Sequence, residues 1–212
     1  MCPAEGGDTR SSGPPTGGSA HGRCCPGPTP GGDRSVEAGA AAGTHSLTNR
    51  EIPMTSDGFT TCLWFDGQAE EAAAFYTSIF KNSRLGRVGR YTEAGPGPAG
   101  SVMTVEFEAN GQKFVALNGG PEFRFNEAIS FQLFCADQQE LDHYWARLTE
   151  GGAEVACGWL RDKFGVSWQV VPAGLVERLG DPDPEKAQRV TTAMLSMVKF
   201  DFDALEKAYR GE

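Results

Sequence analysis

Few residues in this 212-residue chain have the types and spacing that chemistry requires. Of its three histidines, His21 and His45 lie in a Gly/Pro-rich stretch. His143 stands between Asp142 and Tyr144 on a helical pattern, where a solvent-facing side chain is expected rather than a metal ligand. Cys2, Cys24 and Cys25 belong to the same N-terminal stretch, while Cys62, Cys135 and Cys157 stand singly in apolar or strand-like contexts. Without C-x-x-C spacing they read as reduced, buried thiols rather than a disulfide or zinc framework. The string GPGPAG, Gly95 to Gly100, spells G-x-G-x-x-G. Two prolines remove backbone donors from it and a strand pattern follows where a cofactor-binding helix should begin, so it reads as a loop. Glu70-Glu71 and PEKAQR read as solvated helix charges, and Asp162-Lys163 as a turn salt pair at the edge of a pocket. No G-x-S-x-G elbow or P-loop occurs, and no catalytic residue is assigned.

The elements that must position any site begin late. Met1 to Pro53 holds 11 of the 28 Gly and 7 of the 13 Pro, and no Phe, Trp or Tyr precedes Phe59. Such a stretch cannot bury enough apolar surface to offset its ordering entropy, so 1–53 is expected to be a disordered tail, with Met54 as an alternative start. Its four Arg and five acids fit neither a basic nucleic-acid arm nor a transit peptide. From Met54 onward 15 Lys and Arg face 23 Asp and Glu, a balance that repels phosphate backbones, so nucleic acid is not expected as a partner. Nor does any apolar run reach the ~20 residues of a membrane span, which points to a soluble, cytoplasmic protein.

The segment TTCLWFDGQAEEAAAFYTSIF opens with a strand-like run and continues with Ala72, Tyr76, Ile79 and Phe80 at helical spacing. SFQLFCADQQELDHYWARL repeats the plan 69 positions later, placing Phe65 on Phe134, Glu71 on Glu140 and Ile79 on Leu148. Asp137 is the expected cap of the second helix with Glu140 reaching back, and Gly151-Gly152 its end. SVMTVEFEANGQKFVALN alternates and turns at Asn110-Gly111, a hairpin signature. Strand-like pieces at Glu154–Cys157, Trp159–Arg161 and Ser167–Val171 follow the second helix. Each unit reads βαβββ, repeat 1 over 59–120 and repeat 2 over 128–172. The predicted fold class is α+β: two βαβββ repeats with paired curved mixed sheets, followed by C-terminal helices over 173–212, the first capped by Asp183 with Pro184 behind it. The stripe Ala187, Val190, Met194 and Met197 is expected to pack on its own domain.

With FDGQAEEAAAFY opening the first unit and DKFGVSWQVV closing the second, the chain resembles the vicinal oxygen chelate superfamily of glyoxalases, ring-cleaving dioxygenases and bleomycin-sequestering proteins. NGGPEFRFNEAISF, CADQQELDHYW, GGAEVACGWLRDKFGVSWQVVP and DPDPEKAQRV narrow the resemblance to the PhnB-like group, often labelled demethylubiquinone methyltransferase, over Phe59 to Arg210. In metal-using relatives each repeat supplies one ligand near the start of its first strand, commonly His, and a Glu on its last. The resemblance places Thr61 and Ser130 near the first pair of positions, Gln169 on the final Glu position and Asn118 near its counterpart. Hydroxyls and amides are weak neutral ligands for a divalent cation, so neither a metal nor another cofactor is expected.

What remains is an inter-sheet cavity of aromatics and neutral polar groups: Trp64, Phe123, Phe125 and Trp159, with Phe131 and Trp168 also considered, and Gln169, Asn118, Ser130 and Thr61 for orientation. Strand alternation sends Trp168 and Gln169 to opposite faces, so at most one of them lines it. The expected function is metal-independent binding of a small planar or apolar molecule by a homodimer. The alternatives are a metal-dependent lyase, isomerase or dioxygenase-like enzyme, or the labelled methyl transfer.

Overall fold

The computed structural model describes residues 58–212. The tail expected over 1–53, and the alternative start at Met54, lie outside the described residues. Repeat 1 comprises β1 (Thr61–Phe65), α1 (Ala69–Ile79), β2 (Arg84–Arg90), β3 (Val102–Ala109) and β4 (Gln112–Asn118). Repeat 2 comprises β5 (Ser130–Cys135), α2 (Gln138–Thr149), β6 (Ala153–Glu154), β7 (Trp159–Arg161) and β8 (Ser167–Pro172). Three helices follow: α3 (Leu175–Leu179), α4 (Pro184–Leu195) and α5 (Phe202–Arg210). This is the α+β architecture of paired βαβββ units with C-terminal helices.

The two four-stranded sheets share one plan, ordered β1-β4-β3-β2 and β5-β8-β7-β6. In each, the first and last strands of the repeat pair in parallel and the others antiparallel. The β3–β4 hairpin turns on Asn110 and Gly111, both at positive φ (50° and 79°), the two left-handed residues that a tight hairpin matching strand twist demands. Strand β6 is shorter than expected and begins one residue earlier. Val155 to Gly158 form a turn instead, because Cys157 takes a positive φ of 59° and Trp159 N–H bonds back to Ala156. The GPGPAG segment is the loop between β2 and β3.

The 69-residue offset holds through the helices but slips by one in the strands. In β1, Thr61, Leu63 and Phe65 share a face with Phe114 and Ala116, the side that α1 covers. In β5 it is Phe131, Leu133 and Cys135 that turn toward the helices, with Trp168 and Val170 of β8. Phe65 is therefore buried and Phe134, its counterpart at that offset, is 53 % exposed. Side chains alternate with period two, so a slip of one residue reverses every face.

The helix-covered faces form one continuous core. Tyr76 stacks on Phe107 of its own repeat (5.9 Å) and lies 5.6 Å from Trp168 of the other. Phe80 reaches both Trp168 (5.3 Å) and Tyr144 (5.5 Å), and Phe114 meets Phe131 at 5.5 Å. The C-terminal helices close onto this body: Val190 and Leu205 are buried, Cys157 and Gly158 N–H bond to Met197 and Val198 carbonyls, and the Gln138 amide holds Phe200 O and Phe202 N. Asp183 caps α4 and Gly211 ends α5, as their residue types dictate.

A cleft between the repeats as candidate functional site

Three chain segments converge on one cleft of about 570 Å³: the end of β1 with the loop after it, the loop following β4, and the β7–β8 hairpin, backed by the turn after α2. Trp64, Phe123, Phe125 and Phe164 supply its aromatic surface. Trp64 is fixed twice, by its Nε1–H to Gly120 O (2.8 Å) and by the edge of Phe123 at 4.9 Å. The indole lies so close to Gly119 that a Cβ there would overlap the ring, which is why the GG pair follows β4. Phe125 meets Phe65 edge-on at 5.3 Å, and Phe164 sits among Phe65, Phe75 and Tyr76.

Asp162 is the polar centre of this wall, and it is not the turn salt pair its sequence suggests. The residue is 2 % exposed, and its carboxylate accepts four hydrogen bonds. Oδ2 takes Tyr76 O–H and Trp168 Nε1–H, both at 2.8 Å; Oδ1 takes the Phe164 and Val166 N–H groups of its own hairpin. Gly165 at φ 91° closes the turn around it. Burial pushes the Asp162 carboxyl above its ordinary value, while the donors pull against that rise. The same burial, with the carboxylate alongside, pushes the Tyr76 phenol well up, so Tyr76 is the donor. Lys163 turns the other way, pairing with Glu71 of α1 (2.7 Å) over the Phe75 and Phe164 rings.

The residues picked from sequence fall into three places. Trp64, Phe123 and Phe125 line the cleft. Ser130, Gln169 and Trp159 lie on the face of the second sheet that turns away from the helices. There Gln169 Nε2–H donates to Ser130 Oγ (2.8 Å) and Gln132 donates to Gln169 Oε1 (3.2 Å), with Trp159 opposite Gln169 in register. Trp168 and Gln169 do point to opposite faces, Trp168 and Phe131 belonging to the core. Thr61 and Asn118 are on the helix-covered face of the first sheet. The Asn118 amide accepts from Ala69 N–H at the start of α1 (2.9 Å) and donates to Val102 O (3.1 Å). Cys62, expected to be buried, is exposed because the one-residue slip turns it outward; Cys135 is buried. Asp162 and Lys163, expected at a pocket's edge, do line the cleft, and Arg124, Arg161 and Phe164 line it without having been singled out, since no motif joins these segments.

Two groups that the superfamily or the PhnB label implies can be set against these residues. A divalent cation finds two neutral side chains at Ser130 and Gln169, a third position, Asn118, already engaged with backbone, and Thr61 on another face. Among the described residues no three His, Cys, Asp or Glu side chains come together. This donor set does not fit such an ion. A nucleotide-like methyl donor fares no better at GPGPAG: Gly95 and Gly97 pack against the Tyr91 ring and β3 follows, leaving no helix N-terminus to receive it.

Comparison with known proteins accords with the architecture. The family model described as 3-demethylubiquinone-9 3-methyltransferase matches residues 57–171. A PhnB protein from Bacillus cereus with the same methyltransferase designation is 38 % identical, over 54 % of this chain and 98 % of its own, with a TM-score of 0.50. A protein from Staphylococcus aureus is 31 % identical over 52 % and 91 % of the two chains (TM-score 0.24). FosX from Listeria monocytogenes, in complex with Mn(II) and sulfate, is 19 % identical over 54 % and 90 % (TM-score 0.38). The last two overlay too loosely to bear on the site. Among curated proteins no match was found. With its paired βαβββ units and a family match spanning both repeats, the chain belongs to the 3-demethylubiquinone-9 3-methyltransferase family, the PhnB-like group.

Proposed function

We propose that this protein binds a small planar molecule, without a metal, in the cleft between its two repeats. The observation that carries the reading is the cleft itself: a volume of about 570 Å³ suited to one small molecule, walled by Trp64, Phe123, Phe125 and Phe164. Fixed aromatic faces favour a flat ligand, because stacking and edge contacts need little reorganisation. The Ser130–Gln169 pair offers polar contacts on a neighbouring face and lacks the imidazole and carboxylate that would hold an ion. Pairing of two chains is part of the same proposal, supported by apolar side chains such as Phe134 and Val155 that stand about half exposed. Sedimentation at tens of micromolar tests that part, and a strict monomer overturns it. Among the described residues no helix is long and apolar enough to cross a membrane.

The test is native mass spectrometry of the purified full chain for a co-purifying small molecule, with elemental analysis after exhaustive dialysis. A bound organic ligand without stoichiometric metal is expected, together with weaker binding of a planar fluorescent probe by Phe123→Ala. Near-stoichiometric transition metal retained through dialysis, or tight binding of S-adenosylmethionine, would overturn the reading and return the chain to the enzymes.

A further inference from the structure

We infer that the ligand of this cleft is a planar organic anion, an aromatic or conjugated carboxylate, whose charged end is taken by Arg161 and Arg124. The inference rests on the cleft being a binding site and adds what kind of molecule it takes. The chain as a whole carries a formal charge of −9, yet the cleft gathers Arg124, Arg161 and Lys163. Its two acids do not answer them. Asp162 has all its acceptor directions filled by four donors of its own, and Asp66 is exposed at the rim. Lys163 is committed to Glu71. Arg124 and Arg161 both line the cleft, and neither side chain has an ion-pair or hydrogen-bond partner among the described residues, so their donors are free for a ligand.

A second observation comes from the strand beside Arg161. Ser167 is its direct partner across β7–β8 and shares its face; the side chain is 2 % exposed and its Oγ has no hydrogen-bond partner among the described residues. Ser130 continues the row on the next strand. A buried hydroxyl left with an unused donor is costly, and here it adjoins a free guanidinium. A planar carboxylate answers the unpaired arginines that line the cleft: its oxygens match a guanidinium fork, and the attached ring meets Trp64 and Phe123, with the Ser167 hydroxyl lying one strand behind Arg161.

Titration of the full chain with 2-naphthoate and with its neutral isostere 2-naphthamide tests the assignment. Naphthoate should bind at least ~10-fold more tightly, about 1.4 kcal/mol by the tenfold rule. Arg161→Gln and Arg124→Gln should each move that ratio toward one by weakening naphthoate far more than naphthamide, with the melting temperature unchanged, and Arg161→Lys should recover part of it. Inorganic phosphate, which lacks a ring, should compete poorly. Equal affinity for the two probes, both lost in Phe123→Ala, would overturn the anion assignment and leave the cleft reading intact. A preference for naphthoate that survives both Gln substitutions would also overturn it. Binding of neither probe would overturn the assignment and the cleft reading together.

Discussion

In the second repeat the helix caps itself, whereas in the first it borrows its cap from a strand 49 residues further along the chain. Asp137 accepts from Glu140 N–H, and Glu140 reaches back to Ala136 N–H, a local device written within five residues. Gln68, at the corresponding position before α1, makes no side-chain cap, and the Asn118 amide does the work from the end of β4. The uncovered sheet faces differ as well. Repeat 1 carries the ion pairs Arg84–Glu108 and Arg87–Glu106 between its edge strand β2 and the neighbouring β3, where repeat 2 carries the neutral chain Gln132–Gln169–Ser130 on β5 and β8. Two units with one topology thus assign their polar side chains to different tasks. A polar residue near a family's ligand position is a candidate ligand only after its structural duties are known.

The largest effect should come from the residue that joins the repeats. Asp162→Ala leaves Tyr76, Trp168 and two hairpin N–H groups without an acceptor in the core, and should cost about 3–5 kcal/mol in denaturant unfolding. A loss below 1 kcal/mol would mean the repeats are held together by apolar packing alone. Asp162→Asn adds a pH signature. Burial holds the Asp162 carboxyl above its usual range, so the folded chain keeps this proton where an unfolded chain has released it. That contribution favours folding most below the ordinary carboxylate range and declines as pH rises through the raised value. Glu140, Asp142 and Asp181, held low by hydrogen bonds, act in the opposite sense. The prediction is therefore read as the difference in melting temperature between the two proteins, which should change just above the ordinary carboxylate range and be flat elsewhere.

Next come the two caps. Asn118→Ala removes the acceptor for Ala69 N–H and a donor to Val102 O together, and should cost about 1–2 kcal/mol; Asp137→Ala, losing a cap alone, should cost about 1 kcal/mol. Equal losses would show that the tie to β3 adds nothing. If Asn118→Ala instead left stability unchanged and weakened ligand binding, the amide would be a ligand-facing group after all.

The smallest effect is expected at Gln169. Its side chain is half-buried, with Ser130 and Gln132 as ready donors, so Gln169→Glu should cost under about 1 kcal/mol, less than burial of an unpaired carboxylate would. It should confer no stoichiometric metal on dialysis, because its bonded neighbours, Ser130 and Gln132, are neutral side chains that add neither imidazole nor a second carboxylate. Retained metal would show that one carboxylate suffices on this face.

Much of this fold is written locally. The Asn110-Gly111 hairpin, the Asp137 and Asp183 caps and the Gly211 stop each depend on a few consecutive residues, and each is legible in sequence. Strand β2, RLGRVGR, is not: two glycines and three arginines mask it, and only pairing with β3 across a bulged register makes it a strand. The one-residue slip between repeats is invisible for the same reason, since burial decides which face of a strand turns inward. The aromatic part of the cleft was readable because Trp64, Phe123 and Phe125 are conspicuous. Arg124, Arg161 and Phe164 were not, and Asp162, expected at the pocket's edge, was expected there as a salt pair rather than a saturated acceptor, although the Asp-x-x-Gly of the β7–β8 turn is a usable sign that an Asp side chain folds back onto its own hairpin.

The bond between Tyr76 and Asp162 spans 86 residues. On a ribosome adding ~5–20 residues per second, repeat 1 emerges on the order of ten seconds before the carboxylate its tyrosine requires. Throughout that interval the Tyr76 hydroxyl and the aromatic surface meant for Trp168 face the cell rather than a partner. The chain is most vulnerable to misassociation while half made, and arrival of the DKFG hairpin ends that exposure.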